Sequence, residues 1–253
     1  MTERNMAGLG VVITGAAGDI GSAMGRELAA RGAHITALDV KDPVTAAPWI
    51  DTIRAVGDVS YIEADIRDKD AVTAAITGVP NLYAVICNAA MGGSAPFLDI
   101  DLDFWRETMD VNLTGNFTVA QAAARELVSR GNGGRVIFTG SWVGEVPWPD
   151  ITPYAVTKSG IRMLARQMAR ELSEHRILVN VVAPGIVDAG LAKQLRETDD
   201  TYAERIKHVI PLQELQTPEH VARATAFLCA PDNDYMTGTV LLVDGGCSLY
   251  KFD

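Results

Sequence analysis

Seven short apolar runs recur along the chain, at 9–13, 33–39, 59–64, 82–87, 135–139, 177–183 and 240–243, each followed by a longer stretch of mixed character. Runs such as Leu9-Gly10-Val11-Val12-Ile13 and Ala84-Val85-Ile86-Cys87 are unbroken instead of alternating, as strands covered on both faces are. The stretches between them carry helical patterning, and the two longest predict helices over 101–130 and 153–175. This strand–helix rhythm predicts an α/β fold: a doubly wound parallel sheet of about seven strands, with right-handed crossovers placing helices on both faces. Neither a linker of Pro, Gly or Ser nor an internal repeat interrupts it, so residues 1–253 are expected to form one domain.

Composition narrows the picture without changing it. With 48% hydrophobic and 21% charged residues the chain is ordinary for a globular protein. Its apolar runs fall far short of the roughly 18 residues that span a bilayer, and the first ten residues lack the basic and apolar regions of a secretory signal. A cytoplasmic protein with no membrane partner is the expectation. The formal charge of −10 opposes phosphate backbones, which excludes nucleic acid as an expected partner. Cys87, Cys229 and Cys247 are widely spaced and odd in number, and His34, His175, His208 and His220 show no ligand spacing, so neither disulfides nor a metal site is expected.

Candidate chemistry starts after the first strand, where Thr14-Gly15-Ala16-Ala17-Gly18-Asp19-Ile20-Gly21 leads into an amphipathic stretch. Glycines in a strand-to-helix turn let backbone amides approach a pyrophosphate at the positive end of a helix. Asp39 closes the second strand, near the spacing at which an acid accepts hydrogen bonds from an adenosine ribose. The pair points to a dinucleotide and a Rossmann domain. A carboxylate at Asp39 repels the 2′-phosphate of NADP, which favours NAD, although Lys41 lies close enough to offset it.

Further along, Tyr154-Ala155-Val156-Thr157-Lys158 puts Tyr154 and Lys158 one helical turn apart, thirteen positions after Ser141. Together with the glycine turn this chain resembles the short-chain dehydrogenase/reductase family over essentially its whole length. The pieces are TGAAGDIG at 14–21, Asp65-Ile66, CNAA at 87–90, VNLTG at 111–115, GSWVG at 140–144, YAVTK at 154–158, VNVVAPG at 179–185 and TGTVLLVDGG at 237–246. The resemblance implies Asn112, Ser141, Tyr154 and Lys158 as the catalytic set, with the Asn112 amide holding a water that links Lys158 to solvent. For the cofactor it implies Gly15, Asp19 and Ile20 in the turn, Asp65 and Ile66 beside the adenine, and Asn88, Ala89 and Ala90 behind the ribose. Tyr154, Lys158, Pro184, Gly185 and Val187 complete that set. It also implies a homo-oligomer, a dimer or tetramer.

The chain departs from the family pattern at four places. Asp19 stands where a glycine is usual and is expected to cap a helix beginning at Ile20, with Gly18 absorbing the unusual backbone angles. Ala90 and Gly140 replace a glycine and a serine, and Ala189 stands where a threonine that fixes the nicotinamide amide is common.

These residue types suit alcohol oxidation. A tyrosine ordinarily near pKa 10 becomes a usable base when a cation about 4 Å away supplies on the order of 4 kcal/mol, and Ser141 can donate to the developing oxyanion. Hydride transfer between a secondary alcohol and NAD is therefore the expected reaction. A carrier-protein-linked 3-oxoacyl reductase and a non-catalytic NAD-binding protein are the alternatives. The substrate is expected to be a small neutral sugar or polyol, walled by residues 91–96 and 142–148 and by a lid at 186–212. Trp142 and Trp148 would face its ring beside Ser141 and Tyr154, Glu145 and Asp188 would accept from its hydroxyls, and Lys193 or Arg196 would compensate any anionic group.

Overall fold

In a computed structural model, which describes residues 5–198 and 200–249, all seven apolar runs become strands. They are β1 (Gly10–Thr14), β2 (His34–Asp39), β3 (Val59–Glu63), β4 (Leu82–Cys87), β5 (Gly134–Thr139), β6 (Ile177–Pro184) and β7 (Val240–Val243). They form one parallel sheet in the order β3-β2-β1-β4-β5-β6-β7. From β1 the order runs one way to β3 and, beyond β4, the other way to β7, so a crevice opens at the carboxyl ends of β1 and β4.

Helices cover both faces. On one, α1 (Asp19–Ala30), α2 (Pro43–Arg54) and α9 (Pro218–Cys229) bury Met24, Leu28, Ile50, Ile53, Val221 and Leu228. On the other, α3 (Lys69–Thr77), α5 (Asn116–Arg130) and α6 (Thr152–Leu172) bury Val72, Ile76, Val119, Leu127, Ile161 and Ala165. Local signals set several ends. Asp42 accepts from the Val44 and Thr45 amides at the start of α2, Asp68 does the same for α3, and Gly131, at φ 69°, closes α5 in the left-handed conformation.

A third apolar cluster lies beyond the strand ends, where Trp142, Val143, Ile186, Ile206, Val209, Ile210 and Cys247 pack together. Part of it comes from the segment 186–212, which folds into α7 (Gly190–Thr198) and α8 (Asp200–Val209); position 199 lies outside the described residues. All three cysteines are buried and free, and burial raises each thiol pKa, to about 12 for Cys229 and about 11 for Cys247. Among the described residues no helix is long and apolar enough to cross a membrane.

The helix predicted over 101–130 runs unbroken from Leu102 to Arg130, but its winding changes midway: α4 (Leu102–Met109) passes through a π-helical turn over Asp110–Gly115 into α5. One extra residue in a turn leaves the apolar periodicity almost unaltered, but here it turns Asn112 inward: Nδ2 of Asn116 donates to the carbonyls of Asn112 and Ala89, both at 3.0 Å. The second predicted helix, 153–175, ends at Leu172 and continues as a 3-10 turn over Ser173–His175.

Candidate active site

The crevice is a cleft of about 710 Å³. Gly15, Asp19, Ile20, Asp39, Asp65, Ile66, Asn88, Ala89, Ala90, Pro184, Gly185 and Val187 all line it, as do Ser141, Trp142, Trp148, Tyr154 and Lys158. Asn112 and Glu145 do not.

At the glycine turn the strained backbone belongs to Gly15, at φ 66°, where a Cβ would lie 2.8 Å from the Ala89 Cα. Gly21 is tighter, since its Cβ would meet the Gly15 carbonyl at 2.1 Å. Gly18 is extended, at φ −135°, and is itself the N-cap of α1, with no side chain capping the helix. Both expectations for this turn therefore need correcting: Gly18 absorbs no unusual angles, and Asp19 is the first helical residue instead of the cap. Its carboxylate reaches outward, accepting from Trp49 Nε1 at 3.1 Å and from the Gly190 amide at the start of α7 at 3.2 Å. An uncapped helix start opening on a cleft fits an anionic phosphate; Asp19 beside it works against one.

Behind the turn, Thr14 Oγ1 accepts from the amides of Asn88 and Ala89 at 3.0 and 3.1 Å. Asn88 Nδ2 donates to the Thr14 carbonyl at 3.1 Å, and its Oδ1 accepts from Thr139 Oγ1 at 3.0 Å, which ties β1, β4 and β5 together. Asp39 is buried. It accepts from the Ala17 amide at 3.0 Å and the Lys41 amide at 3.2 Å, while Lys41 Nζ lies 3.4 Å from it and donates to the Ala17 carbonyl at 2.9 Å. The lysine also sits 5.2 Å from the Trp49 ring centre. Asp65 is paired with Arg67, whose guanidinium holds its carboxyl below the ordinary range. At the far strand, the Gly185 amide donates to Gln216 Oε1 at 2.9 Å.

The catalytic candidates converge past the end of β5. Lys158 is buried on α6, and its Nζ donates to the Thr139 carbonyl at 2.8 Å and lies 5.3 Å from the Tyr154 ring centre. Burial pushes the lysine down to about 8 and the Tyr154 phenol up to about 12, the latter opposed by a hydrogen bond with Ser141. Asn112 braces the loop after β4: its Oδ1 accepts from the Met91 amide and its Nδ2 donates to the Met91 carbonyl, both at 2.8 Å.

The proposed substrate wall divides. Trp142 and Trp148 line the cleft and meet edge to face, with centres 5.4 Å apart at 63°. Glu145 and Asp188 do not reach it. Glu145 pairs with Arg162 at 2.5 Å and Asp188 with Arg196 at 2.8 Å, so both acids are held by arginines outside the cleft. Thr14, Thr139, Trp49 and Gln216 were not anticipated; each acts through backbone groups or another chosen residue, and only the strand-end position of the threonines marks them in sequence.

A family model described as enoyl-(acyl carrier protein) reductase matches residues 15–248. Among curated proteins the chain is 30% identical to 3beta-hydroxysteroid dehydrogenase 1 of Eggerthella lenta, over 97% of this chain and 96% of that one. A short-chain type dehydrogenase/reductase from Mycobacterium marinum superposes with a TM-score of 0.91 at 29% identity, covering 98% of each chain. A candidate 2-deoxy-D-gluconate 3-dehydrogenase from Agrobacterium tumefaciens, solved with NADP, gives a TM-score of 0.91 at 28% identity, covering 99% of this chain and 100% of that one.

Proposed function

Since the chain belongs to the short-chain dehydrogenase/reductase family, oxidoreductases acting on alcohol and ketone groups, we propose that it interconverts a secondary alcohol and its ketone with NAD, using Tyr154 as acid/base. The observation that carries this is the convergence of Ser141, Tyr154 and Lys158 in a cleft that the glycine turn also lines.

When bound, a nicotinamide cofactor supplies the acceptor for the hydride. Tyr154, as the phenolate, would take the hydroxyl proton of the alcohol as the carbinol hydride leaves, so that the net products would be ketone, NADH and one proton. Ser141 donates to the substrate oxygen as charge develops. Lys158, held by the Thr139 carbonyl, lowers the cost of the phenolate. Asn112 positions the Met91 segment over the cleft.

Asp39 supports NAD over NADP, because a buried carboxylate at the end of β2 meets a ribose hydroxyl better than a second anion. Lys41 is already engaged with Asp39 and Ala17, which limits what it can offer a phosphate. Of the residues behind the sugar or polyol reading, Trp142 and Trp148 line the cleft while Glu145 and Asp188 are paired outside it; the alcohol class is taken up below. The segment 186–212 serves as the lid. Exposed Phe117, Val156 and Met163 on α5 and α6 support a dimer or tetramer. The test of the whole reading is reduction of NAD⁺ by a panel of secondary alcohols, with loss of that reduction in Tyr154→Phe; an active phenylalanine variant refutes it.

A further inference from the structure

The walls of the cleft are divided by charge. Lys41, Asp39, Asp19, Asp65 and Arg67 line the end built from the turns after β1, β2 and β3, and Glu107 joins Arg67 there. Past β5 and β6 the described lining changes character. Trp142, Trp148, Ile151, Ile186, Ala192 and Tyr202 line it together with Ser141 and Tyr154, and Lys158 is the one described charge, turned to the Thr139 carbonyl. The acids on these segments, Glu145 and Asp188, are drawn off by arginines outside the cleft.

We propose that the alcohol is carried on an uncharged, rigid ring body of two or more fused alicyclic rings. This deepens the secondary-alcohol reading and rests on it. A polyol placed here would bury hydroxyls against tryptophan and isoleucine, where unpaired polar groups are penalised. A carboxylate would find only Lys158 among the described charged residues lining this end, and that ammonium is turned to the Thr139 carbonyl. An apolar ring gains from the same walls, because the tryptophan pair, inclined at 63°, offers a flat face and an edge, and Ile186 adds an aliphatic side chain to the lining. The apolar cluster behind these residues packs Trp142 and Ile186 in place before any ligand arrives, so a stiff body loses little by binding. A flexible acyl chain must give up its own freedom to fill the same space.

The test uses initial rates of NAD⁺ and NADP⁺ reduction by the intact protein with isopropanol, cyclohexanol, a decalol, a fused four-ring secondary alcohol, sorbitol, a hydroxybutyrate and a hydroxyacyl thioester. Burying one more methylene raises kcat/KM about fourfold. The decalol should therefore exceed cyclohexanol by about tenfold or more, with sorbitol and hydroxybutyrate far below. A best rate on the polyol, the acid or the thioester overturns the proposal while leaving the oxidoreductase reading standing. Should no alcohol reduce either cofactor, the oxidoreductase reading fails, and the ring body is judged by binding of the matching decalone in the presence of NADH, read by quenching of tryptophan fluorescence; absence of saturable quenching overturns it. Trp148→Ala should lower the decalol-to-isopropanol ratio of kcat/KM about tenfold, and Trp148→Phe, which keeps a flat face, should retain most of it. An unchanged ratio in the alanine variant also overturns it.

Discussion

Replacing Lys158 by methionine keeps most of the length of the side chain and removes its charge, which probes the electrostatic role of the lysine. The Tyr154 phenol is pushed up to about 12 by burial. To act as a base near pH 8 it must come down by about four units, or roughly 5 to 6 kcal/mol. With 5.3 Å between the ammonium and the phenol ring, a unit charge at an effective dielectric near 20 contributes about 3 kcal/mol, or about two pH units. The rest falls to the Ser141 hydrogen bond and to the positive charge of an oxidised nicotinamide.

The sign follows from the protonation each direction needs. Alcohol oxidation requires the phenolate, so kcat rises with pH through the apparent pKa of the Tyr154–Lys158 pair. Removing the cation raises that pKa, and the rising limb in Lys158→Met moves toward alkaline pH by about two units. Ketone reduction requires the phenol, so its falling limb moves the same way by the same amount. Burial holds Lys158 down to about 8, so the ammonium is fully charged only below that pH in the free protein, and the difference between the two proteins is greatest there. The assay is kcat at saturating cofactor from pH 6 to 11, with a deuterated alcohol confirming that hydride transfer limits the rate. A limb that shifts by less than about half a unit refutes the electrostatic role.

Tyr154→Phe should lower kcat by about a hundredfold to ten-thousandfold while NADH binding, followed by fluorescence, persists. Asp39→Ala removes the carboxylate at the ribose end and should lower the NAD⁺-to-NADP⁺ ratio of specificity constants by about tenfold; an unchanged ratio removes Asp39 from cofactor choice. Asp19→Gly takes a like charge from beside the phosphate position and should tighten NADH binding by about tenfold at low salt, with less gain at high salt because the repulsion is screened. Asn112→Asp keeps the acceptor for the Met91 amide but turns a donor into a second acceptor facing the Met91 carbonyl. It should cost about 2 kcal/mol of stability and lower Tm by several degrees, read by thermal unfolding.

Most of the fold was legible because buried parallel strands write themselves as unbroken apolar runs, and all seven were found within a residue or two. What the pattern missed was the π-helical turn at Asp110–Gly115, for a physical reason: one added residue rotates the helix face but leaves it apolar. The cofactor end was readable from glycines because steric collisions demand them. Gly15 and Gly21 each stand where a Cβ would strike backbone, whereas Gly18 meets nothing closer than 3.5 Å. Type therefore identified the turn but not which glycine carries the strain.

Charged residues were the least legible, because a carboxylate goes where the nearest cation or amide draws it, and that partner is set by the tertiary fold. Asp39 reached the cleft since strand β2 delivers it there and the Ala17 amide holds it. Glu145 and Asp188 lie equally close to the site in sequence, yet Arg162, on the third turn of α6, and Arg196, in α7, turn them away. Asp19 belongs to neither group: it forms no ion pair with the described lysines and arginines and bridges Trp49 of α2 and the first residue of α7. A residue expected to cap one helix thus joins the glycine turn to the lid, two parts of the site separated by about 170 positions in sequence. The polyol expectation loses two hydroxyl acceptors at the same point. It placed Glu145 and Asp188 by their distance along the chain, whereas both are paired with arginines outside the cleft, and the described wall past β5 and β6 is left with tryptophan, isoleucine, alanine and the Tyr202 ring.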